Sequence, residues 1–108
     1  EKYKSIVNYI SEKQPYTKIF IQANLHVTKK RSQTDKVINN KAIDSFNKAI
    51  SEMADGKKIF YIDINPLFDD KEGNLASDKS ADSAHPYAKY YIEWSDFIIN
   101  QTAKLIKE

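Results

Sequence analysis

The chain has no cysteine, which excludes disulfides, thiol nucleophiles and thiolate metal sites and leaves the redox compartment undetermined. Arg31 is the one arginine among 17 basic residues, so bidentate clamping of phosphate or carboxylate is poorly supplied. Charge of one sign is scarce too. With 15 acidic residues the net charge is only +2, which makes no electrostatic case for nucleic acid or for an acidic membrane surface. No apolar run is long enough to span a bilayer. The only glycines, Gly56 and Gly73, fall in late loop-like stretches. What remains is 108 residues at 41% hydrophobic composition, enough for one domain with a modest core. The chain starts at Glu1, without Met and directly in a helical pattern. That is expected of a piece of something longer, and the compartment stays open.

Tyr3, Ile6, Val7 and Ile10 recur at helical spacing, with Pro15 as the stop. Thr17 to Leu25 reads as a strand whose apolar centre, Ile19-Phe20-Ile21, suits burial on both faces of a parallel sheet. His26 to Gln33 reads as a polar, basic loop. A second helix is expected from about Asp35 to Ala54, burying Val37, Ile43, Phe46, Ile50 and Met53, with Asp55-Gly56 as its stop. Lys58 to Ile64 reads as a second buried strand. Asn65 to Ala84 is irregular, tacked down by Leu67, Phe68 and Leu75. Long loops of this kind are often functional. The last helix is expected to start near Pro86, with Tyr87, Tyr90, Tyr91, Trp94, Phe97, Ile98, Gln101 and Leu105 as its packed stripe. Alternating helices and buried-type strands imply a parallel α/β sheet covered on both faces. Two strands make a thin sheet, so the pattern is that of a partial α/β domain whose remaining cover comes from elsewhere.

Chemistry points to Asp82-Ser83-Ala84-His85-Pro86. An Asp three residues before a His at a loop-to-helix junction can fix one imidazole nitrogen as a donor and leave the other to take a proton. On spacing alone, a helix-capping Asp82 and a structural His85 are the blander account. The loop leaves the second strand at its carboxyl end, where sheets of this kind bind ligands.

Taken in order, these segments resemble the C-terminal half of the SGNH/GDSL family of serine esterases and lipases. PYTKIFIQANL looks like the family's strand after its Asn-bearing block. NKAIDSFNKAISEMA, from Asn40, looks like its N…I…N helix, with Asn47 at the second Asn. KKIFYIDINPLFDDKEGNLASD is similar to its YIDL…F.D..G.L strand and loop, and ADSAHPYAKYYIEW to its final D-G-x-H…Y-x-x-W block. The resemblance implies a three-layer, flavodoxin-like α/β/α fold of which residues 1–108 are the C-terminal part. It makes His85 the general base and Asp82 its orienting acid, and it implies no cofactor. Ser83 stands where the family usually has Gly, and His26 where its strand-end Pro sits. The family's nucleophile lies in a Gly-Asp-Ser block, and the Gly and Asn of its oxyanion hole lie in further upstream blocks. This chain holds no Gly-Asp-Ser. The implied substrate is a small-molecule, carbohydrate or lipid ester. A fragment of such a fold is expected to be weakly stable, to aggregate, or to pair with itself over its sheet edge.

Other candidates read blandly. His26 is expected to be a solvent-facing loop histidine. A metal site from His26, His85 and loop carboxylates lacks ligand spacing. In Asp69 to Gly73, setting Gly73 at the sixth position of a calcium loop puts Phe68 at the first, so that reading fails. Lys29-Lys30-Arg31 is expected to be a solvated loop rather than a phosphate site. Ser83, squeezed between Asp82 and His85, lacks the chain to attack. The alternative to a hydrolase fragment is a non-catalytic α/β module that binds carbohydrate or a protein partner.

Overall fold

The computed structural model describes residues 2–14 and 16–106. The helix stop expected at Pro15 lies outside them. Helix α1 spans Lys2–Lys13, strand β1 Ile19–Gln22, helix α2 Lys29–Thr34, helix α3 Asn40–Ser51, strand β2 Ile59–Ile62 and helix α4 Tyr91–Ile106. Short 3-10 turns occupy Asn65–Leu67, Ser77–Lys79 and Ala88–Tyr90. No helix among the described residues is long and apolar enough to cross a membrane.

The strands pair in parallel, Ile19 with Ile59 through Gln22 with Ile62, as expected. Alternation gives each strand two faces. Ile21 and Ile59 meet Val7 of α1 and Ile50 of α3 in one buried cluster, flanked by Tyr3, Met53 and Tyr61. On the other face Phe20 and Phe60 stack at 5.1 Å, on the side that α4 covers. Helices therefore lie on both faces of two parallel strands. The first helix forms where its periodicity places it, but Ile6 is 59% and Ile10 40% exposed. Its apolar stripe is wider than the core it meets.

Several element boundaries differ from expectation. The presumed loop after β1 contains α2, because the Thr28 hydroxyl accepts from the Arg31 N–H and caps a turn that is polar all round. Helix α3 starts at Asn40 rather than Asp35. Asp35 ends α2 by bonding the Arg31 carbonyl, and its carboxylate takes the Val37 and Ile38 N–H groups. Asn39 then caps Ala42. Val37, expected in the buried stripe, is 79% exposed in that linker. Helix α3 also ends early, at Ser51, and Gly56 adopts φ 73° in the turn beyond it. Helix α4 begins at Tyr91, since the Tyr87 N–H is tied to the Lys79 carbonyl and a 3-10 turn intervenes. Within the expected stripe, Tyr90 and Trp94 pack edge-on against Phe68, whereas Tyr87 and Tyr91 are exposed.

Beyond β1 the chain leaves the sheet, and its peptide groups lose their strand partner. Asparagine side chains replace it. The Asn47 amide accepts from the Asn24 N–H at 2.8 Å and donates to the Asn24 carbonyl at 3.0 Å. Asn40, two turns earlier on α3, does the same for Val27, at 2.8 Å each way. Asn65 accepts from the His26 N–H and donates to the Asn24 carbonyl. The irregular 65–84 segment is then anchored by Phe68 and Leu75, at 0% and 1% exposure, and by the Leu75 N–H on the Val27 carbonyl. Leu67 is half-buried. Asn40→Ala would strand the Val27 N–H in a buried setting and leave the Val27 C=O with the Leu75 N–H alone. It is expected to cost about 1–3 kcal/mol, the penalty of one unmet buried group, read from the urea midpoint; an unchanged midpoint would show the clamp to be dispensable.

Candidate active site

The loop carrying Asp82 and His85 is pinned at both ends. Ser80 bridges to Pro86, and the Thr28 N–H donates to the Ser83 carbonyl at 3.0 Å. Within it, Asp82 is saturated with donors. Its Oδ1 accepts from the Ala84 N–H at 2.9 Å, the His85 N–H at 2.7 Å and the Ser80 hydroxyl at 3.2 Å. Its Oδ2 lies 2.7 Å from His85 Nδ1. The Ala84 N–H, then the His85 ring and backbone, hold the Asp82 carboxyl well below the usual carboxylate range. A permanently ionised Asp82 favours the tautomer with the proton on Nδ1. That leaves Nε2, unpartnered among the described residues, as the basic nitrogen. The pair is open to solvent, His85 at 78% and Asp82 at 57% side-chain exposure.

Ser83 adopts φ 66°, the one positive φ outside glycine among the described residues. The position where the resemblance calls for Gly therefore has a backbone reason to want it. The Ser83 hydroxyl donates to the Asp82 carbonyl rather than to His85, consistent with its dismissal as a nucleophile.

His85 lines a groove of about 470 Å³ with Ala84, Trp94, and Ala23 and Asn24 just past the end of β1. It lies at the carboxyl end of the strands, where α/β sheets place ligands. The Trp94 indole N–H donates to Gln22 Oε1 at 2.6 Å, fixing the ring as one wall.

His26 departs from its expected role as a solvent-facing residue. Its side chain is 12% exposed, with Nδ1 2.8 Å from Asp69 Oδ2 and Nε2 2.6 Å from Asp44 Oδ1. Carboxylates on both ring nitrogens require both to be donors, so His26 is an imidazolium. The Asp69 bond is the largest influence on its pKa. Burial opposes it and Asp44 adds to it, leaving a value raised to about 9. With both nitrogens engaged, His26 can act neither as a base nor as a metal ligand. It cross-links α3 to the loop after β2. Only the carboxylate-rich loop hinted at this, since the pairing spans 43 residues. Among the described residues no group of three or more His, Asp or Glu side chains is arranged to hold a metal ion. Asp70, in the rejected calcium run, accepts from the Glu72 and Asn74 N–H groups and shapes a turn.

The GDSL-like lipase/acylhydrolase family model matches residues 1–91. The chain belongs to this family. Among solved structures it is similar to a Streptococcus pneumonia protein provisionally assigned as a platelet activating factor, with a TM-score of 0.77 at 20% identity. The match covers 92% of this chain and 48% of that one, so the chain spans about half that protein's length. At that identity the likeness establishes the fold: the parallel strands and flanking helices are part of an SGNH-type α/β architecture. No curated protein matches the chain.

Two outcomes are expected. His26 has a folded pKa above its ordinary 6.5, so its ion pairs contribute fully below pH 6.5 and the contribution is lost as pH rises through about 9. The urea stability gap between the wild type and His26→Gln should shrink over that window by at most about 3 kcal/mol; a pH-independent gap would refute the charged clamp. Ser83→Gly should raise stability by roughly 0.5–1 kcal/mol through relief of the left-handed φ, net of the added unfolded-state entropy, visible as a higher urea midpoint.

Proposed function

We propose that residues 1–108 are the C-terminal part of a single SGNH hydrolase-type domain, contributing the Asp-His pair of a Ser-His-Asp triad to a serine ester hydrolase. The observation that carries this reading is the 2.7 Å bond between Asp82 Oδ2 and His85 Nδ1, with Nε2 left unpartnered. The family match supports the reaction class. The 48% coverage of the solved relative supports the division of the domain. The exposure of His85 and the unpaired outer edges of the two-stranded sheet among the described residues fit a face awaiting more protein.

In the assembled site an upstream Ser Oγ attacks the ester carbonyl carbon, and its proton passes to His85 Nε2. Collapse of the tetrahedral species breaks the bond to the alcohol oxygen, which takes that proton from His85. Water then attacks the acyl-enzyme, again giving its proton to Nε2, and the released Ser recovers it with loss of the acid. Asp82 holds the ring and stabilises its charged form throughout. The substrate is a small-molecule, carbohydrate or lipid ester, and no cofactor takes part. The exposed rings of Tyr87 and Tyr91 favour one rival, a non-catalytic module binding carbohydrate or a protein partner.

The test is hydrolysis of 4-nitrophenyl acetate by the full gene product. His85→Ala should lower kcat by about 10⁴-fold or more. The 108-residue chain alone should not exceed the uncatalysed rate, because nucleophile and oxyanion donors are absent from it. A His85→Ala enzyme of near wild-type activity would favour the binding module. Burst release by the isolated chain, abolished in Ser83→Ala, would place the nucleophile in this segment instead.

A further inference from the structure

The groove beside His85 is walled mainly by apolar side chains, among them Leu25, Ile38 and Ile43, and Arg31 is its one permanently charged residue. Arg31 is a residue of α2, and its side chain is 35% exposed. Nε donates to Asp35 Oδ2 at 3.3 Å. Asp35 is itself held by the Val37 and Ile38 N–H groups at 2.9 and 2.8 Å. The guanidinium is thus oriented through one nitrogen, while its two terminal nitrogens have no partner among the described residues. Arg31 also lines a second cleft of about 750 Å³, but there Lys29 and Lys30 line it together with Asp70 and Asp82. That mixed wall has no preferred sign of ligand. On the groove side, Arg31 is a lining residue among mainly apolar neighbours, and an oriented guanidinium suits a carboxylate or phosphate.

We propose that Arg31 is a specificity residue that binds an anionic group, carboxylate or phosphate, on the alcohol part of the substrate. This rests on the hydrolase reading in one respect. His85 must protonate the leaving oxygen, so the alcohol lies against Nε2, in the groove that His85 and Arg31 share. The sequence alone pointed the other way, towards a solvated basic loop.

Two matched acetate esters test it with the full gene product. 4-Acetoxybenzoate carries a carboxylate on its alcohol part, and 4-acetoxybenzamide is its neutral isostere. The wild type should favour the first in kcat/KM by about tenfold. In Arg31→Gln that ratio should fall to about one, with Arg31→Lys between the two. Equal kcat/KM values in the wild type, or an Arg31→Gln variant that keeps the ratio, would overturn the proposal. Calorimetric titration with 4-hydroxybenzoate, 4-hydroxybenzamide and 4-hydroxyphenyl phosphate separates the two readings. If neither ester is hydrolysed but the anions bind the wild type and not Arg31→Gln, the hydrolase reading fails and the anion site stands. The tighter anion then identifies carboxylate or phosphate as the ligand. No preference for anions over the amide in either measurement would sink the site, whatever the hydrolytic activity.

Discussion

The pairing of peptide groups by asparagine side chains just past β1 is the constraint on which the rest depends. A chain leaving a parallel sheet exposes N–H and C=O groups that the ladder no longer serves, and buried ones cost about 1–3 kcal/mol each if unmet. Asn40 and Asn47 each present one carbonyl and one amide, so one side chain satisfies both groups of a residue. Both stand on one face of α3, seven residues apart, and Asn65 binds the same segment from the other side. The turn is thereby fixed against α3 and the post-β2 loop together. Two contacts of the candidate-site loop and the segment before it are made on this turn: the Val27 carbonyl accepts from the Leu75 N–H, and the Thr28 N–H donates to the Ser83 carbonyl.

Two Asp-His arrangements in one small chain show how environment divides roles between like residues. His26 lies between two carboxylates, mostly buried, with no nitrogen to spare. It is a charged strut. His85 has one carboxylate, and its far nitrogen has no partner among the described residues. A base needs a vacant lone pair, and only His85 has one. In the proposed triad, backbone N–H groups that hold the Asp82 carboxyl below the usual range would let it orient the ring without competing for the proton.

The strained Ser83 ties sequence to geometry. Asp82 takes the Ala84 and His85 N–H groups and the His85 ring together, with the intervening Ser83 at φ 66°. Glycine would adopt it freely. The serine here accepts the strain and bonds its hydroxyl to the preceding carbonyl.

Much of the fold was legible in the residues. Apolar runs at Ile19-Phe20-Ile21 and Ile59-Phe60 announced buried parallel strands, and helical periodicity announced α1, α3 and α4, because burial on one or two faces leaves a pattern in local order. The Asp82–His85 spacing was legible for the same reason: the bond is made within three residues. Helix ends were misread where side-chain caps decided them, as Thr28, Asp35 and Asn39 did, since caps compete with periodicity over single hydrogen bonds. His26 was out of reach, because its partners stand 18 and 43 residues away. So was the placing of Arg31 in the groove with His85. The sequence by itself determined both strands, the three longer helices, the parallel α/β class and the Asp82–His85 spacing. Tertiary structure alone decided which histidine is locked and which is free, since contacts between distant residues leave no local periodicity in a single chain.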